Sequence, residues 1–273
     1  MSVCFNYRRK VRLASFSAQY LKIVIWVGGV SYYRGVHQEC FERIWLSALF
    51  YCLLLFLFIF VDNTNRTSMT VPLIGLSRHR IMVDGKGVTT LVAFHGCPLA
   101  CKYCLNPQTL SPEGVWKTLT MEGLFGIVKK DDLYFRATGG GITFGGGEPL
   151  LYYKEILRFK NLCIDNGKSW KINIETSLNV PNSTVEAIDS IIDHWIVDIK
   201  DMNPLIYKAY TGKDNTAVIG NIQYLLQKNA KMTVRVPLIP DFNTEADVEK
   251  SVNALKKMGV TDIDRFSYII KMH

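Results

Sequence analysis

The stretch Gly96-Cys97-Pro98-Leu99-Ala100-Cys101-Lys102-Tyr103-Cys104 constrains this chain more than any other. Three thiols fall within eight residues, directly after the β-branched run 88–94, so a strand must deliver a thiol-rich loop to one place. Thiolates this close together suit an iron–sulfur cluster or zinc. Three ligands leave one iron of a four-iron cubane without a protein ligand, an open position of the kind that marks a reactive metal centre. Zinc needs a fourth ligand, and His95 is near, but no second cysteine pair supplies a matching knuckle. The other cysteines, Cys4, Cys40, Cys52 and Cys163, are scattered, and an odd total of seven does not describe a secreted disulfide framework. Clustered thiols fit a reducing compartment, and the expected location is the cytoplasm.

Residues 1–68 differ in texture from 69–273, and the chain divides there into a non-core segment and a core domain. The first part carries eight Lys/Arg against three Asp/Glu, a net of +5 out of +8 for the whole chain. The remainder is nearly balanced, so the basic total is no argument for nucleic acid as a partner. Positions 44–61 form an uncharged apolar run of 18 residues, at the lower limit for a membrane span. Three readings fit it: a membrane anchor, a buried helix, or sequence upstream of a true start at Met69. An oxygen-sensitive centre argues against export and residues from Thr70 read as self-sufficient, so the third is preferred over the anchor.

From Met69 the pattern alternates between strands and helices. Extended segments are expected at 71–76, 80–83, 88–94, 133–136, 142–144, 171–176, 195–199, 232–238 and 263–270, with a turn at 84–87. Helices are expected at 120–130, 152–166, 183–192, 204–210, 218–228 and 244–258. No tight hairpin signal joins two strands, and about six strand–helix units count from Val88. An α/β architecture follows, a partial (β/α)6 barrel with a parallel sheet and helices outside. Ligands then bind at the C-terminal strand ends, where the cysteine loop, the GGGEP segment 145–149, Glu175, Thr176, Asp198, Lys200 and Arg235 all fall.

In that segment Gly145, Gly146 and Gly147 permit close backbone approach, and Glu148 can accept from an ammonium group. It has neither the ending of a phosphate loop nor the spacing of a dinucleotide fold. Taken together, the Cys-x3-Cys-x-Tyr-Cys loop and Thr143-Phe144-Gly145-Gly146-Gly147-Glu148-Pro149 resemble the radical SAM superfamily. Within it the chain is most similar to the glycyl-radical-enzyme activating enzymes, the pyruvate formate-lyase activating enzyme family. GCPLACKYCLNP, GGGITFGGGEPLL, 198–202 and 235–240 carry that likeness, which begins near Ser77.

The resemblance implies that Cys97, Cys101 and Cys104 hold one 4Fe-4S cluster and that S-adenosylmethionine chelates its open iron. Tyr103 would contact the adenine, while Gly146, Gly147 and Glu148 would receive the amino group. Asp198 and Lys200 would line the methionine end. Arg235 is a further candidate for the cofactor site or else a structural strand residue. Glu175 and Thr176, with Asp198, would hold a monovalent cation. The implied activity is formation of a 5′-deoxyadenosyl radical that takes hydrogen from a glycine of a partner glycyl radical enzyme. A flavodoxin- or ferredoxin-type donor would supply the electron. No protein acid, base or nucleophile is needed, so none is assigned. Residues 105–162 contain no cysteine, so a single cluster is expected. The chain stops just after the last expected strand, which fits a minimal domain or a truncated one. Two alternatives stand beside this reading: a radical SAM enzyme modifying a small molecule or peptide, and a non-enzymatic iron–sulfur or zinc module. The GGGEP segment would have no purpose in the module.

Overall fold

A run of β-branched and aromatic residues, Val88–Phe94, forms β2, the strand that carries the cysteine loop. The computed structural model describes residues 69–268. The segment 1–68 with its apolar run, and positions 269–270 of the expected last strand, lie outside the described residues.

β2 begins a parallel series with β4 (Gly141–Gly146), β5 (Lys171–Thr176), β6 (His194–Asp198), β7 (Met232–Leu238) and β8 (Ile263–Ser267). These six strands lie side by side in chain order and all run parallel. Helices connect them: α1 (Met121–Val128), α2 (Asp132–Thr138), α3 (Tyr153–Asp165), α4 (Asn182–Glu186), α5 (Pro204–Thr211), α6 (Thr216–Gln227) and α7 (Glu245–Met258). The expected α/β architecture of six parallel strands is therefore present. Among the described residues no helix is long and apolar enough to cross a membrane.

Strand alternation sorts the side chains into two layers. Phe94, Phe144, Ile174, Trp195, Val197 and Val234 face the helices and are buried with Phe159, Leu225 and Leu255. Leu91, Ala93, Glu175 and Asp198 face the other way and line one cavity with Tyr268, which follows β8. Residues from the first and last parallel strands meet there because the sheet curls, as a partial barrel requires.

The structure differs from the expected elements in four places. Segments 71–76 and 80–81 belong to one strand, β1 (Thr70–Ile81), antiparallel to β2, and Met82 and Val83 fall in the turn that follows. A tight turn closes this hairpin, with Met82 N–H donating to Gly87 C=O at 3.0 Å. A short strand, β3 (Lys117–Thr120), pairs with the start of β1 and was not expected. Residues 133–136 are helical, not extended. Asp132 bonds Lys168 and Trp170, Phe135 packs edge-on against Trp170, and Gly139 caps the helix at φ 68°. The helix expected at 183–192 is also shorter, because α4 ends at Glu186 and a 3-10 turn follows at Asp189–Ile191.

Below the sheet, Asp131 is fully buried between α1 and α2 and ties them to the hairpin. It accepts from Arg78 and from Thr90 Oγ1 at 2.8 Å, with His79 Nε2 at 3.0 Å. Burial pushes its carboxyl up, but Arg78, Thr90 and His79 outweigh that and hold it below its ordinary value.

Candidate active site

The cysteine loop leaves β2 at Gly96, where φ is 93°, a conformation glycine adopts freely. The end of α5 then braces it: Ala100 N–H donates to Thr211 C=O at 2.9 Å and Lys102 N–H to Tyr210 C=O at 3.1 Å. Leu99 is buried beneath the loop, so Cys97, Cys101 and Cys104 remain half-buried on the cavity wall. Burial pushes the Cys97 thiol up to about 12 and raises Cys101 as well. A metal centre takes thiolates and so displaces those protons on binding. Among the described residues no three His, Cys, Asp or Glu converge on a single ion position. A cubane makes no such demand, because it takes one thiolate per iron.

The neighbouring parallel strand brings the glycine turn against this loop. Gly147 N–H donates to Phe94 C=O at 2.9 Å and Glu148 N–H to Gly96 C=O at 2.8 Å. A Cβ on Gly147 would lie 2.1 Å from the Gly96 carbonyl oxygen, so the approach demands glycine. Asn106, two residues past Cys104, donates its side-chain amide to Gly146 C=O at 3.0 Å. The two sequence motifs are thus locked together by backbone and side chain.

Glu148 is placed differently from the expectation. Its side chain does not line the cavity and is fully buried behind it. Oε1 accepts from Thr176 Oγ1 at 2.6 Å and from Leu150 N–H at 3.2 Å; Oε2 accepts from Ser177 Oγ at 2.7 Å and Ser177 N–H at 3.0 Å. Four donors fill the acceptor sites of one carboxylate. Burial still pushes its carboxyl up against those bonds. The group holds the glycine turn to β5 and has no lone pair left for a ligand.

On the cavity side stand the charged residues. Asp198 Oδ1 is a buried acceptor without a hydrogen-bond donor among the described residues, and its nearest cation, Arg235 Nη1, is 3.6 Å away. Lys200 Nζ lies 3.3 Å from Asp198 Oδ2 and donates to Tyr268 Oη at 3.1 Å. Burial opposes charge on Lys200, but Asp198 and Tyr268 outweigh it and keep the ammonium well above its ordinary value. Glu175 accepts from Arg235 Nη1 at 2.5 Å, and burial with the nearby Asp198 raises its carboxyl.

Of the twelve expected residues, nine line the cavity: the three cysteines, Gly146, Gly147, Glu175, Thr176, Asp198 and Lys200. Thr176 does so without its hydroxyl, which serves Glu148. Tyr103 stands beside the cavity, not on its wall. Its hydroxyl donates to Asp241 Oδ2 at 2.7 Å and its ring meets Phe242 edge-on at 5.7 Å. Arg235 lies behind Glu175 and Asp198. Ser177, at the strand end beside Thr176, lines the wall as well, and Asn106, Tyr210 and Tyr268 do so without having been expected. Asn106 was the accessible one, since it stands two residues past the last cysteine of the motif. A wider groove of about 650 Å³ between α4 and α6 is lined by Asn179, Asn182, Asn221 and Gln223 and carries no thiol or carboxylate.

Three half-buried thiols, a turn open to close approach and an undonated buried acceptor fit a cluster with a polar ligand beside it. The radical SAM superfamily model matches residues 91–263 of this chain. The chain is 30% identical over 181 residues to the pyruvate formate-lyase-activating enzyme of Clostridium pasteurianum, covering 65% of this chain and 73% of that one. It is 26% identical over 212 residues to the pyruvate formate-lyase 2-activating enzyme of Escherichia coli K12, covering 66% and 71%. Streptococcus suis SuiB bound to precursor peptide SuiA is similar in fold, with TM-score 0.51 at 15% identity. That likeness covers 66% of this chain but only 38% of SuiB.

Proposed function

The chain belongs to the radical SAM superfamily, among relatives of the pyruvate formate-lyase activating enzymes, and from that premise we propose that it installs a glycyl radical on a partner enzyme. One observation carries the reading: the three-thiol loop and the glycine turn share a cavity at the C-terminal ends of parallel strands. When bound, a reduced 4Fe-4S cluster with S-adenosylmethionine supplies a 5′-deoxyadenosyl radical able to take hydrogen from a glycine.

The chain's own residues bind and orient. Cys97, Cys101 and Cys104 hold the cluster. The Gly146–Gly147 backbone receives the amino group of S-adenosylmethionine, and Glu148 keeps that backbone in place without touching the ligand. Lys200 pairs with the carboxylate, and Asp198 holds the Lys200 ammonium in place from 3.3 Å. Tyr210 and Tyr268 restrict water at the wall. A flavodoxin- or ferredoxin-type protein supplies the electron. The cytoplasm is the compartment that suits such a centre.

The test is anaerobic. Reconstituted protein, a reductant, S-adenosylmethionine and a candidate glycyl radical enzyme are combined, then examined by EPR and for 5′-deoxyadenosine. A glycyl signal with matching 5′-deoxyadenosine supports the proposal. Product without a glycyl signal on any candidate points to a small-molecule or peptide substrate, and no product at all overturns the radical chemistry.

A further inference from the structure

The family resemblance brings with it a monovalent cation on Glu175, Thr176 and Asp198, and the side chains here do not assemble that cage. Glu175 and Thr176 are neighbours in β5 and point to opposite faces of the sheet. Thr176 is 2% exposed; its hydroxyl donates to Glu148 at 2.6 Å and accepts from Leu178 N–H at 2.9 Å. Glu175 faces the interior, where β6 and β7 set Asp198 and Arg235 side by side as register partners.

Arg235 Nη1 donates to Glu175 Oε1 at 2.5 Å and lies 3.6 Å from Asp198 Oδ1. The guanidinium stands between the two carboxylates, where an alkali ion would have to sit. Asp264 of β8 approaches its Nε at 3.8 Å and the Phe266 ring lies 5.6 Å from its Cζ, which fixes the group from the far side. Lys200 meets Asp198 from the other direction at 3.3 Å. Glu175 and Asp198 thus each already face a fixed positive charge, and a further positive ion within a few ångströms of the guanidinium is repelled. A planar, permanently charged fork is the side chain suited to bridging two carboxylates.

We infer that Arg235 is the built-in cation of this cavity, taking the place of an alkali ion between Glu175 and Asp198. It does not line the cavity, so it acts as a positioning residue, setting Asp198 and through it Lys200. The inference rests on the proposed function only for the identity of the ligand these residues address; the ion cluster stands by itself.

The test compares sodium, potassium and tetramethylammonium chloride at equal ionic strength, with the last too large for such a site. Melting temperature of the reconstituted full chain is one readout and S-adenosylmethionine affinity by calorimetry is the other. Wild type should melt within about 1 °C in all three salts, with unchanged affinity. Arg235→Gln should melt about 5 °C lower and bind about tenfold more weakly in tetramethylammonium, with both losses partly restored by sodium or potassium. Arg235→Lys should stay indifferent to the salt. Wild-type stability or affinity that rises saturably with sodium or potassium overturns the inference. So does a folded Arg235→Gln that ignores them. If Arg235→Gln does not fold, the wild-type and Arg235→Lys comparisons still decide. Absence of any S-adenosylmethionine binding sinks the proposed function instead, and the melting arm continues to read the cation.

Discussion

Each oxygen of the Glu148 carboxylate accepts two hydrogen bonds, and water does not reach the side chain. Glu148→Gln replaces one of those oxygens with an amide that turns donors toward donors. The expected loss is about 2–3 kcal/mol, read as a lower urea midpoint. A carboxylate reserved for a ligand would leave that midpoint where it is. Asp131 makes a second prediction at this scale, through pH. Arg78, Thr90 and His79 hold its folded pKa below the ordinary aspartate value of about 3.9. Across that window the unfolded chain binds the proton more readily, so stability falls as pH drops below about 4 and is complete above it. Arg78→Met should flatten this acid limb and cost about 1–2 kcal/mol at neutral pH, since solvent screens an Arg78 side chain that is 39% exposed while Thr90 and His79 still serve the buried carboxylate. Chemical unfolding followed by circular dichroism across that pH range checks both effects; an unchanged acid limb in the variant contradicts the assignment.

At the scale of elements, glycines in different settings separate packing from propensity. A Cβ at Gly126 in α1 meets nothing within 4 Å, whereas one at Gly147 strikes the Gly96 carbonyl at 2.1 Å. Gly126→Ala should therefore stabilise by about 0.5–1 kcal/mol. Gly147→Ala should destabilise by about 3 kcal/mol, since backbone must part from backbone. Thermal melts of the two variants that move in the same direction would contradict this. The elements legible in the sequence are those with strong local chemistry: β-branched β2, and α7 with its Thr244–Asp247 capping box and Gly259 at φ 102°. The hairpin escaped because Ile81, Met82 and Val83 are apolar yet 71%, 74% and 61% exposed, so the hydrophobic pattern runs on into the turn. α2 escaped because its seven residues make barely two turns, too few to show a period of 3.6, and its one buried residue, Phe135, finds Trp170 from a distant part of the chain.

Across the whole molecule, motif spacing located the cavity but not the direction of every side chain within it. The cysteines and glycines were legible because loop chemistry and close approach leave few substitutes. Glu148, Tyr103 and Arg235 lie off the cavity wall because their side chains are held by Thr176 and Ser177, by Asp241 and by Glu175, partners remote in sequence that only the folded sheet brings to them. Tyr268 completes the wall from beyond β8 for the same reason. The proposed function requires three thiolates to hold a cluster whose open position takes S-adenosylmethionine. The most direct measurement is the EPR spectrum of the anaerobically reconstituted, reduced protein with and without S-adenosylmethionine, alongside iron content. About four irons per chain are expected, lost when Cys97, Cys101 or Cys104 becomes alanine, with a spectrum that changes when S-adenosylmethionine is added. A spectrum indifferent to S-adenosylmethionine, or iron retained without those cysteines, would contradict it.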